Sequence, residues 1–88
     1  MRIFVSNIDY KSTQDDFRTF VEQTIGPTSK IIRIMDKNTK HFKGYVFIDF
    51  VNSDDAAKAL AVLGGKTFQG RPLVCHEATP DLKARLRD

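Results

Sequence analysis

KGYVFIDF, residues 43–50, has the pattern of a β-strand with two very different faces, and this pattern determines the predicted architecture. Side chains alternate between the faces of a strand. One face carries only apolar side chains: Val46, Ile48 and Phe50. The other carries two rings and a carboxylate: Tyr45, Phe47 and Asp49. An ordinary half-buried strand shows Thr, Lys or Glu to water. The pattern therefore predicts a sheet with one core face and one aromatic face.

The residues before this strand predict a strand and a helix. RIFVSNI, residues 2–8, alternates as a first strand and places Phe4 opposite its aliphatic face. Thr13, with Asp16 three residues later, has the pattern of a capping box at the start of a helix. The Gly-Pro pair at residues 26–27 ends that helix.

The rest of the chain adds two strands and a second helix. Residues 29–36 are rich in β-branched side chains and predict a second strand, and a polar turn leads into residues 43–50. Ser53 is the predicted N-cap of a second helix with an alanine-rich stripe. Residues 72–78 predict the last strand. The order β-α-β-β-α-β favours a four-stranded antiparallel sheet with two helices on one face, a ferredoxin-like α+β sandwich.

Length and composition exclude several classes of protein. Eighty-eight residues suit one domain, predicted over residues 1–78, with a basic tail over residues 79–88. Cys75 is the only cysteine, which excludes an intrachain disulfide and a cysteine zinc site. No 18-residue apolar run and no signal-peptide pattern is present, so we expect no membrane span and an intracellular protein, in cytoplasm or nucleus.

The net charge of +3 is unevenly distributed. The predicted helical segments, residues 13–25 and 54–63, carry net charges of −2 and −1, so the rest of the chain carries +6. Lys37, Lys40 and Lys43 lie in one segment. Such asymmetry makes one face attractive to polyanions, although scattered lysines can also act only as solubilising groups. Rings on a sheet beside cations suit unpaired nucleotides, whose bases stack and whose phosphates need positive charge.

Two short motifs carry a family resemblance. IFVSNI, residues 3–8, and KGYVFIDF, residues 43–50, resemble the two signatures of the RNA recognition motif (RRM) domain, in the strands where that family has them. Val46 departs from the usual Gly or Ala, and we expect it to repack against a helix. GRPLVCHEA, residues 70–78, resembles the family's last strand. The resemblance covers residues 2–78.

The resemblance implies a single-stranded RNA-binding module without cofactor or metal. It implies that Phe4 and Phe47 each stack beneath a base, that Tyr45 packs against the sugars, and that Lys43 reaches a phosphate or base edge. A competing interpretation is that the rings pack under a terminal helix or a partner protein.

Five further residues are candidate RNA contacts. Ser6 shares the face of Phe4, Lys40 belongs to the basic loop, and His76 lies on the last strand with the same alternation as Val74. Phe42, expected in the loop, either folds back on the domain or clamps a nucleotide; its position in the sequence leaves both open. Asn7 is expected to be structural.

The fifth candidate, Arg33, depends on the orientation of the second strand. Burying Ile32 and Ile34 sends Ile31, Arg33 and Met35 to the binding face and avoids burying a guanidinium. The family pattern favours the opposite orientation, and a bulge would reconcile the two. We predict that Arg33 points outward and contacts RNA.

Other functions remain as alternatives. A protein-interaction domain of the same fold would use the aromatic face, the helices or the tail, and single-stranded DNA offers the same bases and phosphates as RNA. An enzyme is not expected, because the sequence has no catalytic pairing of Cys and His and no glycine-rich phosphate loop. We expect a monomer. Pro80 indicates a short helix in the tail, while ten residues are marginal for a stable helix, so a frayed tail is the alternative.

Overall fold

A computed structural model describes residues 2–78 of the chain. Its elements are β1 (Arg2–Ser6), α1 (Gln14–Thr24), β2 (Thr28–Met35), β3 (Phe42–Phe50), α2 (Ser53–Val62), β4 (Thr67–Phe68), β5 (Arg71–Pro72) and β6 (Val74–Glu77). The predicted order is confirmed, with one addition: β4 and β5 form a small hairpin before the last strand. Pro72, the predicted start of the last strand, therefore belongs to this hairpin, and the last strand begins at Val74. The predictions for residues 79–88 lie outside the described residues.

The main sheet has the strand order β2-β3-β1-β6, and its neighbouring strands are antiparallel. Phe4 on β1 lies opposite Phe47 on β3 and opposite His76 on β6. Directly opposite residues project to the same face of a sheet. The register therefore brings these three side chains together on one face of the two central strands and β6.

Both helices pack on the other face and close the core. The core includes Phe17 and Val21 from α1, Ala56 and Ala59 from α2, and Ile3 from the sheet. The small alanine side chains let α2 approach the strands closely. Val46 is 1% exposed and belongs to this core, as its predicted inward orientation requires. The predicted ferredoxin-like α+β fold is confirmed, and its helix layer leaves the aromatic face without a covering helix among residues 2–78.

The two helices begin differently. Thr13 is the N-cap of α1, and its hydroxyl accepts a hydrogen bond from the Asp16 backbone N–H at 3.1 Å, as predicted. For α2 the prediction was wrong by one residue, because Asn52 has the extended backbone of an N-cap and Ser53 is already helical. The Asn52 side chain makes no capping hydrogen bond. Of the two helices among residues 2–78, α1 therefore has a side-chain cap and α2 has none.

The predicted orientation of β2 was wrong. Ile31 lies opposite Ile48 and is buried in the core, so Ile32, opposite Phe47, faces the aromatic side. Arg33 lies opposite Val46 and thus on the helix side. Its guanidinium donates to the Ser12 carbonyl at 3.0 Å and lies 4.1 Å from the centre of the Phe42 ring. Because β2 is an edge strand, a long side chain can find these partners, and the penalty of burying an unpaired cation does not arise.

The β2–β3 pairing is irregular beyond Arg33. Arg33 pairs with Val46, whereas Met35 pairs with Phe42, so β3 advances four residues while β2 advances two. Gly44 lies in this interval with φ of +89°, and its carbonyl accepts a hydrogen bond from the Ile8 N–H at 2.9 Å. At this irregular position, the hydrogen bond between Gly44 and Ile8 connects β3 to the loop that follows β1.

Candidate nucleic-acid interface

Three aromatic rings form one cluster, the aromatic platform, on the sheet face opposite the helices. The Phe4 ring centre lies 5.5 Å from that of Tyr45 and 5.4 Å from that of Phe47, with interplanar angles of 52° and 50°. The rings come from adjacent central strands and are tilted against each other, a favourable geometry for aromatic pairs. The shared face predicted for Phe4, Tyr45 and Phe47 is confirmed.

The platform rings are less exposed than the sequence suggested. Phe4 and Phe47 are 6% and 4% exposed, although neither belongs to the hydrophobic core on the helix side. Their mutual tilt makes each ring shield part of the other. Only a small part of each ring is therefore accessible from the platform face.

An ion pair borders the platform at the first residue of β1. The Arg2 guanidinium donates from Nε to Oδ1 of Asp49 and from Nη2 to Oδ2 of Asp49, and both donor–acceptor distances are 2.9 Å. These hydrogen bonds from Arg2 lower the pKa of Asp49. The carboxylate is thus charged and compensated, so it repels a phosphate less than an unpaired acid would. Arg2 was not among the predicted site residues, although its alternation with Phe4 indicates that the two side chains share a face.

Ser6 and His76 lie where predicted. Ser6 is opposite Val74, and the exposed His76 is opposite Phe4, so both project to the platform face. Cys75 is opposite Val5 and packs against the core. Burial raises the pKa of the Cys75 thiol to about 11, which keeps it neutral. No group of three or more His, Cys, Asp or Glu within residues 2–78 is placed to hold a metal ion.

The loop between β2 and β3 is a hydrogen-bonded turn. An Asp36 carboxylate oxygen accepts from the backbone N–H groups of Asn38 and Thr39 at 2.8 and 2.9 Å, and these bonds lower the pKa of Asp36. The Lys40 N–H donates to the Asp36 carbonyl at 2.9 Å, and Lys40 has a positive φ of 64°. The turn therefore presents the exposed Lys40 near the start of β3, where the half-buried Lys43 follows.

Two predicted site residues do not lie on the platform face. Phe42 is the first residue of β3, not a loop residue, and its ring is 8% exposed and belongs to the core. It folds back on the domain, so its ring is not placed to clamp a nucleotide. Arg33 stacks on that ring from the helix side. Phe42 thus adopts the first of its two predicted alternatives, whereas Arg33 departs from its prediction because its guanidinium finds the Ser12 carbonyl and the Phe42 ring as partners.

Asn7 has the structural role that was predicted. Its side-chain amide donates to the Pro72 carbonyl at 2.7 Å, and its oxygen accepts from Arg71 at 3.1 Å. These bonds fix the end of β1 to the β4–β5 hairpin. Tyr10, three residues later, was missed by the sequence analysis although it is 66% exposed. An aromatic residue in a polar loop next to the first motif was the available signal.

No helix within residues 2–78 has the length and apolarity required to cross a membrane.

Known proteins share this sequence and architecture. The human probable RNA-binding protein 19 is 39% identical over 94% of this chain, which corresponds to 9% of that protein's length. The crystal structure of RNA-binding protein PG1 is 31% identical, with a TM-score of 0.79 over 89% of this chain and 93% of that one. The Rna15 RRM with bound GU RNA has the same fold, with a TM-score of 0.82, 23% identity and coverage of 98% and 97%.

The chain spans 8–9% of the length of the human, mouse and two yeast relatives that it matches, so the likeness concerns one domain of those proteins. The family model for the RNA recognition motif matches residues 3–74, which include both signature strands and both helices. The chain therefore belongs to the RNA recognition motif family.

Proposed function

We propose that this domain binds single-stranded RNA on the sheet face opposite the helices. The observation that carries the proposal is the aromatic platform of Phe4, Tyr45 and Phe47, which lies on the two central strands. Bases stack on such rings, and each stacked base contributes about 1–3 kcal/mol to binding. Two stacked bases and a phosphate contact are consistent with roughly micromolar affinity after the costs of association.

The surroundings of the platform support the same function. Ser6 and His76 offer hydrogen-bonding groups on its face, and the charge of Asp49 is compensated by Arg2. Lys40 and Lys43 lie at the end of the platform that is nearer the β2–β3 turn. Two similar proteins, the probable RNA-binding protein 19 and RNA-binding protein PG1, are named for RNA binding, which adds support. The Rna15 domain, which has the same fold, binds GU RNA.

The proposal extends to the class of protein. We infer a binding module, not an enzyme, that acts as a monomer inside the cell. Single-stranded DNA is the nearest competing ligand, because stacking and phosphate contacts do not depend on the 2′-hydroxyl group. A matched DNA pool distinguishes the two ligands.

Fluorescence anisotropy with randomised short RNA tests the platform. We expect Phe4→Ala/Phe47→Ala to weaken binding at least about thirtyfold, which corresponds to the ~2 kcal/mol lower bound for two stacked bases. Because both rings are buried, the same double substitution to Leu, which keeps more of the apolar volume, is measured in parallel. Phe20→Leu is the matched control, since Phe20 packs against Phe68 on the helix side.

The outcomes separate the proposals. Loss of binding in the folded platform variants but not in Phe20→Leu supports RNA binding on the sheet. No binding of RNA by the folded native chain, or native affinity in the folded platform variants, contradicts it. Equal affinity for the DNA pool would assign the domain to single strands in general.

A further inference from the structure

Tyr10 is an exposed ring with a fixed position. It is 66% exposed, yet its ring packs against the backbone of β3 at Gly44, where an added Cβ would lie 2.8 Å from Cε1 of Tyr10. A side chain that touches backbone on one face and water on the other is held in place without being covered. Such a ring is a preorganised stacking surface, because little conformational entropy is lost when a flat ligand binds.

Tyr10 separates two depressions that continue from the aromatic platform. The larger, about 850 Å³, lies between the loop after β1 and the β2–β3 turn. The smaller, about 390 Å³, lies between the end of β1 and Arg71 with Val74. Tyr10, Lys43 and Tyr45 line both depressions, and Tyr45 is also a platform ring. We call the two depressions together the Tyr10 groove.

The charge of the Tyr10 groove is positive. Its cationic lining consists of Lys11, Arg33, Lys40, Lys43 and Arg71. Among its lining residues Asp36 is the one carboxylate, and the backbone N–H groups of Asn38 and Thr39 already hold its charge. A ring among several cations is complementary to a base with its phosphate, whereas an acidic peptide would leave the ring unused.

We propose that the Tyr10 groove binds a further nucleotide of the strand, beyond the bases on the platform, with its base stacked on Tyr10 and its phosphates near Lys40 and Lys43. This inference rests on the proposed RNA-binding function and adds a site to it. The domain would then bind one more nucleotide than the platform holds, and its affinity would rise with RNA length up to that number.

The chain has two tyrosines and no tryptophan, so the fluorescence of each tyrosine ring can be observed separately. In Tyr45→Phe the fluorescence reports only Tyr10, and in Tyr10→Phe it reports only Tyr45 on the platform. Randomised RNA pools of three and six nucleotides are titrated into both variants. Quenching in Tyr45→Phe tests the groove through Tyr10, and quenching in Tyr10→Phe by the three-nucleotide pool tests the platform through Tyr45, the ring that the platform shares with the groove. We expect the six-nucleotide pool to quench both reporters.

Affinity measurements on Tyr10→Ala complete the test. We expect this variant to lose at least about fivefold in affinity for the six-nucleotide pool, the lower end for one stacked base, and much less for the three-nucleotide pool. Tyr10→Phe should keep native affinity, since the stacking ring remains. A longer RNA offers more binding registers, but that factor is equal for the native chain and the variant. Val51→Ala, which truncates another exposed side chain, is the control.

The results distinguish failure of this inference from failure of the proposed function. If the platform reporter is quenched while Tyr10 is not, or if Tyr10→Ala binds the six-nucleotide pool as tightly as the native chain, the groove is not a nucleotide site and RNA binding on the platform stands. If neither reporter responds and the native chain binds neither pool, both proposals are overturned.

Discussion

At the scale of single residues, Gly44 connects the fold to the candidate site. Its φ of +89° lies where side chains are strained, and a Cβ would meet both the Tyr10 ring and the Ile8 carbonyl oxygen, the latter at 2.9 Å. We expect Gly44→Ala to lower the free energy of unfolding by more than about 2 kcal/mol, from backbone strain plus overpacking. Urea denaturation measures the effect.

Gly65→Ala is the matched control for Gly44→Ala. Gly65 has a similar φ of +85°, but an added Cβ would meet nothing within 4 Å. Its substitution should cost only the strain of the positive φ, about 1–2 kcal/mol. Equal losses in the two variants would show that contact with Tyr10 and Ile8 adds nothing.

The Arg2–Asp49 pair predicts a pH dependence of stability. Because the pKa of Asp49 is lowered in the folded state, its contribution is complete above its ordinary value of 3.8 and is lost as the pH falls through the lowered value. We expect Asp49→Asn to lower the free energy of unfolding by about 0.5–1 kcal/mol at pH 7, in the range of partly exposed pairs. The difference between native chain and variant should shrink as the pH falls below 3.8 and vanish once Asp49 is protonated in the folded state, as measured by urea denaturation.

Arg2→Gln supplies the control for this pair. In the Arg2→Gln background, Asp49→Asn should change stability little at any pH, because the partner is already absent. A pH-dependent loss of the same size in that background would assign the effect of Asp49 to other groups.

At the scale of secondary-structure elements, the N-termini of the helices form a natural comparison. Thr13 accepts the Asp16 N–H, whereas the Asn52 side chain caps nothing. We expect Thr13→Ala to cost about 1 kcal/mol of stability and Asn52→Ala only a few tenths, with Thr13→Ser close to native. Thermal unfolding of the three variants measures this, and equal losses for Thr13→Ala and Asn52→Ala would refute the capping argument.

The elements also show how far sequence reasoning reaches. Alternation in β1 and β3 placed Phe4, Tyr45 and Phe47 on one face, because a period of two leaves no choice once the core set is known. In β2, Ile31, Ile32 and Ile34 fit either face equally, so the predicted orientation depended on Arg33 alone. One partner of Arg33, the Ser12 carbonyl, is distant in sequence, and the other, the Phe42 ring, belongs to a residue that was expected in a loop and not in a strand. No local sequence pattern could therefore reveal these partners.

The loops that carry the Tyr10 groove were least predictable. Their residues come from segments about 25 to 60 positions apart, and their proximity depends on the irregular register at Gly44 and on the Asn7–Arg71 bond. Composition indicated a basic segment around Lys40, but only the packed structure places Tyr10 between Lys40 and Arg71. The platform was therefore accessible from sequence, whereas the groove beside it required tertiary structure.

Across the domain, negative charge is concentrated in the helix layer. The acidic helical segments, with net charges of −2 and −1, form the layer behind the sheet, and the remaining +6 lies on the strands, the loops and the tail sequence. The two helices therefore repel a polyanion, and we expect it to approach the domain from the strands and loops. If an RNA strand binds the platform, this arrangement would orient the strand as it approaches, which the overall charge of +3 alone does not indicate.

Salt dependence tests whether these charges contact phosphates or act only at a distance. The logarithm of the association constant should fall with the logarithm of salt concentration with a slope of about −0.7 per phosphate contact for a single strand. We expect a shallow native slope of about −2, for roughly three contacts, and a reduction of about 0.7 in Lys40→Gln. Lys58→Gln removes the same charge from α2 and is the matched control. A native slope much steeper than this would mean that charge dominates over stacking, and an equal change in both variants would mean that Lys40 contributes only to the long-range field.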